Sequence, residues 1–176
     1  MTTNARGGTR ILGSLRLEDG KGVVRMEDRF DTAIDDLWSA LTDPIRLARW
    51  IGEVEGDLRL GGEFRADFFA SGWKGTGRVE ACEPPQRLLV LTRDADQPDG
   101  PYDHPIEVTL TADGDQTILV WEERRMPLEL LAAYGAGIQI HVEDLAAYFG
   151  GRELGEAEAR WRELLTAYQD LAANVS

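Results

Sequence analysis

The sequence contains few of the residues that build disulfides, metal centres or polyanion-binding surfaces. Cys82 is the single cysteine, and there are two histidines among 176 residues. An intramolecular disulfide and a thiolate metal site are therefore excluded. The 19 Lys and Arg are outnumbered by 32 Asp and Glu, which gives a net charge of −13. Binding of nucleic acid or anionic lipid is not expected, because neutralising phosphates requires clustered basic residues.

Long hydrophobic runs are also scarce. The uncharged stretch at residues 130–142 is shorter than the ~20 apolar residues of a membrane-spanning helix, and it includes Gln139 and His141. The N-terminal residues MTTNARGGTR are polar and lack the hydrophobic segment of a secretory signal. We therefore expect a cytoplasmic protein that binds no membrane, metal or cofactor, with a disordered tail at residues 1–9.

The residues that are present predict one α+β domain over residues 10–176, since the length is typical of a single domain. Asp19-Gly20 lies between two alternating runs and predicts a hairpin of strands 11–18 and 22–30. Residues 35–42 predict a helix, with Thr32 in a capping role, and Pro44 begins a second short helix.

Alternating apolar and polar residues then predict a series of antiparallel strands. Their ranges are 53–60, 63–69, 73–82, a run at RLLVLTR, 106–111 and 117–125. A long helix follows, from Pro127 to a C-cap at Gly150, and a last helix covers about 156–173. A long helix across a strongly curved antiparallel sheet leaves a cavity between the two.

Four segments in this order carry a family resemblance. They are FDTAIDDLWSALTDPIRLARW, DLRLGGEF, GTGRVEACEPPQRL and YGAGIQIHVEDLAAYF. Together they resemble the START-like (SRPBCC) superfamily, and within it the activator of heat-shock-protein-90 ATPase-like group, over about residues 22–150. The resemblance implies a helix-grip fold, in which a curved antiparallel sheet surrounds a long C-terminal helix and a hydrophobic cavity. The first hairpin strand and the helix after Gly151 are then additions to the common core.

Three polar residues are candidates for the cavity. Strand alternation places Glu123 in register with Leu119 and Trp121, facing inward, where a carboxylate needs a partner such as His141 or Tyr134. The alternative is that Glu123 is a solvated strand end. His141 lies at the edge of the apolar face of the long helix. It is interpreted either as a ligand-binding or acid–base group in the cavity or as an ordinary boundary residue.

Aromatic and aliphatic side chains complete the predicted lining, although each also fits as core filling. The predicted ligand-binding residues are Phe64, Phe68, Trp73, Trp121, Glu123, Tyr134, Ile138 and His141. The acidic loop from Asp94 to His104 is interpreted as solvated, and His104 is not assigned to the site.

Three functions fit these features. The first is non-enzymatic binding of a small, largely hydrophobic molecule in the cavity, as in a carrier or sensor. The second is a cyclase/aromatase-like or hydrolase-like enzyme that uses Glu123, His141 and Tyr134 as acid–base groups. The third, a co-chaperone-like interaction protein, is implied by the resemblance, which does not fix the activity because the superfamily is diverse. Monomer and homodimer both fit, since the apolar stripe of the last helix can cover its own chain or a copy.

Overall fold

One antiparallel sheet of eight strands forms the body of the protein. The structure is a computed structural model that describes residues 10–175, so the tail predicted for residues 1–9 lies outside the described part. The strand order is β1-β2-β8-β7-β6-β5-β4-β3. The strands are β1 (Gly13–Glu18), β2 (Lys21–Phe30), β3 (Gly52–Gly56), β4 (Glu63–Phe68), β5 (Lys74–Glu83), β6 (Arg87–Asp94), β7 (His104–Asp113) and β8 (Gln116–Met126).

Four α-helices pack around this sheet. They are α1 (Ile34–Thr42), α2 (Pro44–Leu47), α3 (Leu131–Phe149) and α4 (Ala157–Ala173). The long helix α3 packs on β1 and β2 with one side and against α4 with another. The predicted helix-grip α+β fold is confirmed. Within residues 10–175, no helix is both long and apolar enough to cross a membrane.

Two local predictions are wrong. The strand predicted over 53–60 ends at Gly56, whose φ of 129° breaks the extended run. The carboxylate of Asp57 then accepts a hydrogen bond from the backbone N–H of Arg59 at 2.9 Å, which forms a local turn instead of a strand.

The start of α1 also differs from the prediction. Its N-cap is Ala33, and the hydroxyl of Thr32 donates instead to the carboxylate of Asp36 at 2.6 Å. A side-chain cap occurs at the next helix, where Asp43 accepts from the backbone N–H of Ile45 at 3.0 Å.

The first strand is fixed to the two last helices by the side chain of Gln139. Its Oε1 accepts from the backbone N–H of Leu12 at 3.0 Å and from the hydroxyl of Tyr168 at 2.5 Å. Its Nε2 donates to the backbone carbonyl of Arg10 at 2.6 Å. The Tyr168 hydroxyl also accepts from the backbone N–H of Gly13 at 3.1 Å. This network, which we call the Gln139 network, joins β1, α3 and α4.

Side chains of β8 point alternately to the outer face of the sheet, where they form ion pairs, and to the face that packs on α3. On the outer face, Glu122 binds Arg16 of β1 at 3.1 Å and Arg124 at 2.9 Å. Arg124 also binds Glu107 of β7 at 3.0 Å, and Glu107 binds Arg87 of β6 at 2.5 Å. Such partly exposed pairs stabilise little individually. Because side chains alternate along a strand, Trp121 and Glu123 lie on the opposite face of β8, which faces α3.

Candidate functional site

Glu123 lies inside the protein, with 6% of its surface exposed. One carboxylate oxygen accepts from Nε1 of Trp121 at 3.0 Å, and the other is 2.6 Å from Nε2 of His104. The burial agrees with the strand alternation, and the alternative of a solvated strand end is wrong. The partner is His104, in place of the predicted His141 or Tyr134.

His104 is the site residue that sequence reasoning missed. It is the first residue of β7, and it pairs with Thr92 of β6. Its position was grouped with the acidic loop, although it continues the alternating pattern of Ile106, Val108 and Leu110 by two residues. That pattern puts its side chain on the concave face.

The Glu123–His104 pair controls the charge state of this part of the site. Burial opposes protonation of His104, but the hydrogen bond and the negative charge of Glu123 outweigh it, so the pKa of His104 is raised. The ring of Tyr134 stacks on the imidazole, with centroids 5.4 Å apart. Burial, with the nearby charges of Asp94 and Glu123, raises the pKa of Tyr134. Tyr134 is therefore a neutral phenol at pH 7.

His141 lies on α3 two turns after Tyr134 and is 5% exposed. Its ring stacks on Trp121, with centroids 6.3 Å apart, and meets Phe68 edge-on at 5.1 Å. Burial lowers the pKa of His141 to about 4, although Glu123 partly opposes this. Among residues 10–175, no group is within hydrogen-bond reach of its buried Nδ1. Such an orphaned polar atom is uncommon in a native interior.

The aromatic part of the site lies over two glycines of β5. A Cβ placed on Gly75 would be 2.2 Å from Cζ2 of Trp73, and one on Gly77 would be 2.2 Å from Cζ of Phe64. The two rings therefore occupy space on the concave face that any larger residue would fill. The ring of Trp73 also contacts Phe68, with centroids 5.0 Å apart, and its Nε1 donates to the carboxylate of Asp94 at 2.7 Å.

These contacts join residues from four strands, from α3 and from the turn before β5 into one group, which we call the inner cluster. Of the predicted lining it contains Phe68, Trp73, Trp121, Glu123, Tyr134 and His141. Phe64 lies beside it on β4, and Ile138 is buried on α3 between Tyr134 and His141. Its two further members are His104 and Asp94. The members of the inner cluster are Phe68, Trp73, Asp94, His104, Trp121, Glu123, Tyr134 and His141.

Two of the surface cavities formed by the described residues have volumes of about 550 and 410 Å³. The first lies between α1, α2 and the turn after β3, where Trp38, Leu58 and Cys82 line it. The second lies between α3 and the start of α4. Neither of these two, formed by residues within 10–175, is lined by the eight predicted ligand-binding residues. Within the inner cluster the aromatic side chains contact one another directly.

The histidine pKa gives a testable pH dependence for folding. Below pH 6.5 an unfolded chain protonates His141, whereas the folded chain does so only near pH 4. The unfolded state therefore binds more protons in this window, and stability is lost as the pH falls. His141→Phe lacks this titrating group. Between pH 8 and pH 5, the free energy of unfolding of wild type should therefore fall by about 2 kcal/mol more than that of His141→Phe. Urea denaturation of both chains at the two pH values measures this, and an equal difference at pH 5 and pH 8 would contradict it.

The curved antiparallel sheet around α3, with polar groups on its concave face, defines a START-like helix-grip protein. The chain belongs to the family described as Activator of Hsp90 ATPase homolog 1-like protein, whose sequence model matches residues 31–150. This match covers α1 to the end of α3, so β1 and α4 lie outside it.

Solved structures extend the comparison to the added elements. The crystal structure of CalU16 from Micromonospora echinospora has a TM-score of 0.73 and 28% identity, and the match covers 92% of this chain and 96% of that one. DynU16, from the dynemicin biosynthetic locus, has a TM-score of 0.67 and 28% identity, with coverage of 77% and 50%. The Aha1 dimer from Colwellia psychrerythraea is 14% identical, with a TM-score of 0.62 and coverage of 72% and 95%, and it supports the fold alone. No curated protein matches the chain.

Proposed function

We propose that this protein binds a small, largely hydrophobic molecule between α3 and the concave face of the sheet, at the inner cluster. The observation that carries the proposal is the orphaned Nδ1 of His141, buried in an aromatic wall without a partner among the described residues. A hydroxyl or carbonyl group of a ligand would form a hydrogen bond with this nitrogen. The apolar part of the ligand would pack against the aromatic rings in place of some of their present contacts with one another. Sites with apolar walls and a few placed polar groups are typical of small-molecule binding.

The Glu123–His104 pair supplies a polar anchor at the other side of Trp121. Both carboxylate oxygens of Glu123 are engaged, so the carboxylate has hydrogen-bond partners within the protein. The location of DynU16 in a biosynthetic locus also supports a small-molecule ligand. These features favour a carrier or sensor.

An enzyme is the second candidate, and a specific contact favours it. The 2.6 Å contact between Glu123 and His104, with Tyr134 stacked on the imidazole, is an acid–base arrangement. In a cyclase-like or hydrolase-like reaction, His104 would act as the base and Glu123 would orient it. His141, with its lowered pKa, would bind the substrate as a neutral imidazole.

A co-chaperone role and the choice between monomer and homodimer stay predictions. The Hsp90 activators of similar structure share too little sequence to support more than the fold. In α4, Leu164 and Tyr168 are fully buried against their own chain. The stripe predicted to cover either its own chain or a copy thus covers its own chain at these two positions.

Native mass spectrometry tests the binding proposal. The gently purified chain should carry a small-molecule adduct, or gain one on incubation with a panel of neutral aromatic compounds. The His141→Phe variant should lose at least about 1.4 kcal/mol of binding energy, or tenfold in affinity, because it cannot hydrogen-bond the ligand. The matched control is Trp161→Phe, an aromatic change on α4 outside the inner cluster. If no compound adds mass to the wild-type chain, the proposal is wrong.

A further inference from the structure

Trp73 is the outermost part of a contact series that leads from the surface to the orphaned atom of His141. The indole is half-buried and is held at the rim by a hydrogen bond to the exposed Asp94 at 2.7 Å. Its inner side lies against Phe68, and Phe68 lies edge-on against His141. A molecule that approaches His141 from this side therefore meets the indole first and must take its place before it passes the ring of Phe68.

The surface beneath the indole is built for a ring. Gly75 has no side chain, and a Cβ there would be 2.2 Å from Cζ2 of Trp73 and 2.4 Å from the backbone carbonyl oxygen of Arg93. The neighbouring inward position of β5 is Gly77, which is covered by the ring of Phe64. The backbone of β5 thus offers a bare patch that an aromatic ring system covers in the present structure.

The carboxylates around this patch already have hydrogen-bond partners. Glu123 is paired with His104, and Asp94 accepts from the indole of Trp73. If the indole moves away, Asp94 stays at the surface, where water can solvate its carboxylate. An uncharged guest therefore leaves no buried charge without a partner, whereas a charged guest would add one at a large desolvation cost.

We infer that the Trp73 indole is a replaceable occupant of the ligand site, and that the ligand is an uncharged molecule with a fused aromatic ring system. The ligand carries one hydrogen-bonding group that reaches Nδ1 of His141, and its rings cover Gly75 in place of the indole. This inference rests on the proposed function above and adds the class of ligand and the residue that competes with it.

Competition of this kind lowers the apparent affinity. A ligand binds only the fraction of molecules in which the indole has left, so its apparent dissociation constant rises by the inverse of that fraction. Removing the indole abolishes this cost. Trp73→Ala should consequently bind the ligand more tightly than wild type, the opposite of what loss of an ordinary aromatic contact would cause.

Two naphthalene dyes provide the probes. Prodan is a neutral ketone with two fused rings, and anilinonaphthalene sulfonate has the same ring system with a negative charge. Fluorescence titration should give blue-shifted Prodan emission with wild type and about tenfold tighter binding with Trp73→Ala. The sulfonate should bind both chains at least about tenfold more weakly than Prodan.

Further variants separate the indole from its surroundings. Trp73→Phe keeps a ring without the N–H that binds Asp94, and it should tighten Prodan binding by a smaller factor. Trp161→Ala, on α4, should leave the dissociation constant unchanged, and thermal melts by circular dichroism show whether each variant is folded.

The outcomes distinguish the two proposals. Equal or weaker Prodan binding by folded Trp73→Ala, with wild type still binding, overturns the role of the indole and leaves the proposed function in place. Sulfonate binding as tight as Prodan binding overturns the neutral ligand class. If neither wild type nor Trp73→Ala binds Prodan, the inference is wrong, and the native mass spectrometry described above decides the proposed function.

Discussion

Replacing Gln139 with leucine is expected to lower the free energy of unfolding by about 3 kcal/mol, because it leaves the buried Tyr168 hydroxyl and two partly buried backbone groups without their partner. Leucine fits the volume but cannot accept from the Leu12 N–H and the Tyr168 hydroxyl, or donate to the Arg10 carbonyl. Gln139 and Tyr168 are fully buried, so water cannot reach the Tyr168 hydroxyl without local opening, whereas Arg10 is exposed and Leu12 is half-buried. Urea denaturation followed by circular dichroism measures the loss.

Gln139→Leu should also change hydrogen exchange locally, at the first strand. Hydrogen exchange at the amides of Leu12 and Gly13 should accelerate more than exchange in β7 and β8, since the first strand loses its attachment. Gln97→Leu, at an exposed loop position, is the matched control and should change stability by no more than ~0.5 kcal/mol. A loss below about 1 kcal/mol in Gln139→Leu would show that the network is not what holds β1 in place.

Glu123→Ala is expected to cost about 3 kcal/mol at pH 7, because removal of one member of a buried pair leaves the other without compensation. His104 would lose the carboxylate that favours its protonated form, and the indole N–H of Trp121 would lose its acceptor. The pKa of His104, which is raised in wild type, should fall. NMR titration of the imidazole resonances reports the pKa, and denaturation reports the stability.

The sign of the accompanying pH effect follows from the same pair. The pKa of His104 is higher in the folded than in the unfolded chain, so its contribution to stability is complete below pH 6.5. This contribution is lost as the pH rises through the folded pKa. Glu123→Gln keeps the shape but removes the charge, and it should reduce this loss with a smaller overall destabilisation than alanine.

A neighbour on the same strand provides the control for Glu123. Glu122→Gln removes a carboxylate on the outer face, where Glu122 binds Arg16 and Arg124. Its effect on stability should be within about 1 kcal/mol, and the pKa of His104 should not move. A shift of the His104 pKa in Glu122→Gln but not in Glu123→Gln would refute the pairing.

Local patterns predict the sheet and the long helix because period-two and helical spacing reflect which face is buried. The same alternation places Glu123 inside and Glu122 outside, so burial of the key carboxylate could be inferred from β8 alone. It cannot identify the partner, since the contact between Glu123 and His104 depends on how β7 pairs with β8. The end of β3 was missed because the turn at Gly56 and Asp57 interrupts a run whose alternation continues.

The contacts of the inward glycines of β5 are also not predictable from the sequence. The sequence shows two inward glycines on β5 but not what lies against them, and in the structure aromatic side chains cover both. Trp73 reaches Gly75 from just before the strand, and Phe64 reaches Gly77 from the neighbouring β4. Which ring covers which glycine depends on rotamers and twist, and a linear pattern does not encode these.

The Gln139 network also determines when the first strand can be fixed in place during translation. The first strand leaves the ribosome early, yet its anchors follow 127 residues later on α3 and 155 residues later on α4. Until then β1 can pair only with β2, and an isolated hairpin is marginally stable in water. The nascent chain therefore keeps its first strand unsecured until residue 168 has been added and has cleared the exit tunnel. Translation stalled before that point would yield a chain with an open, pairing-competent sheet edge.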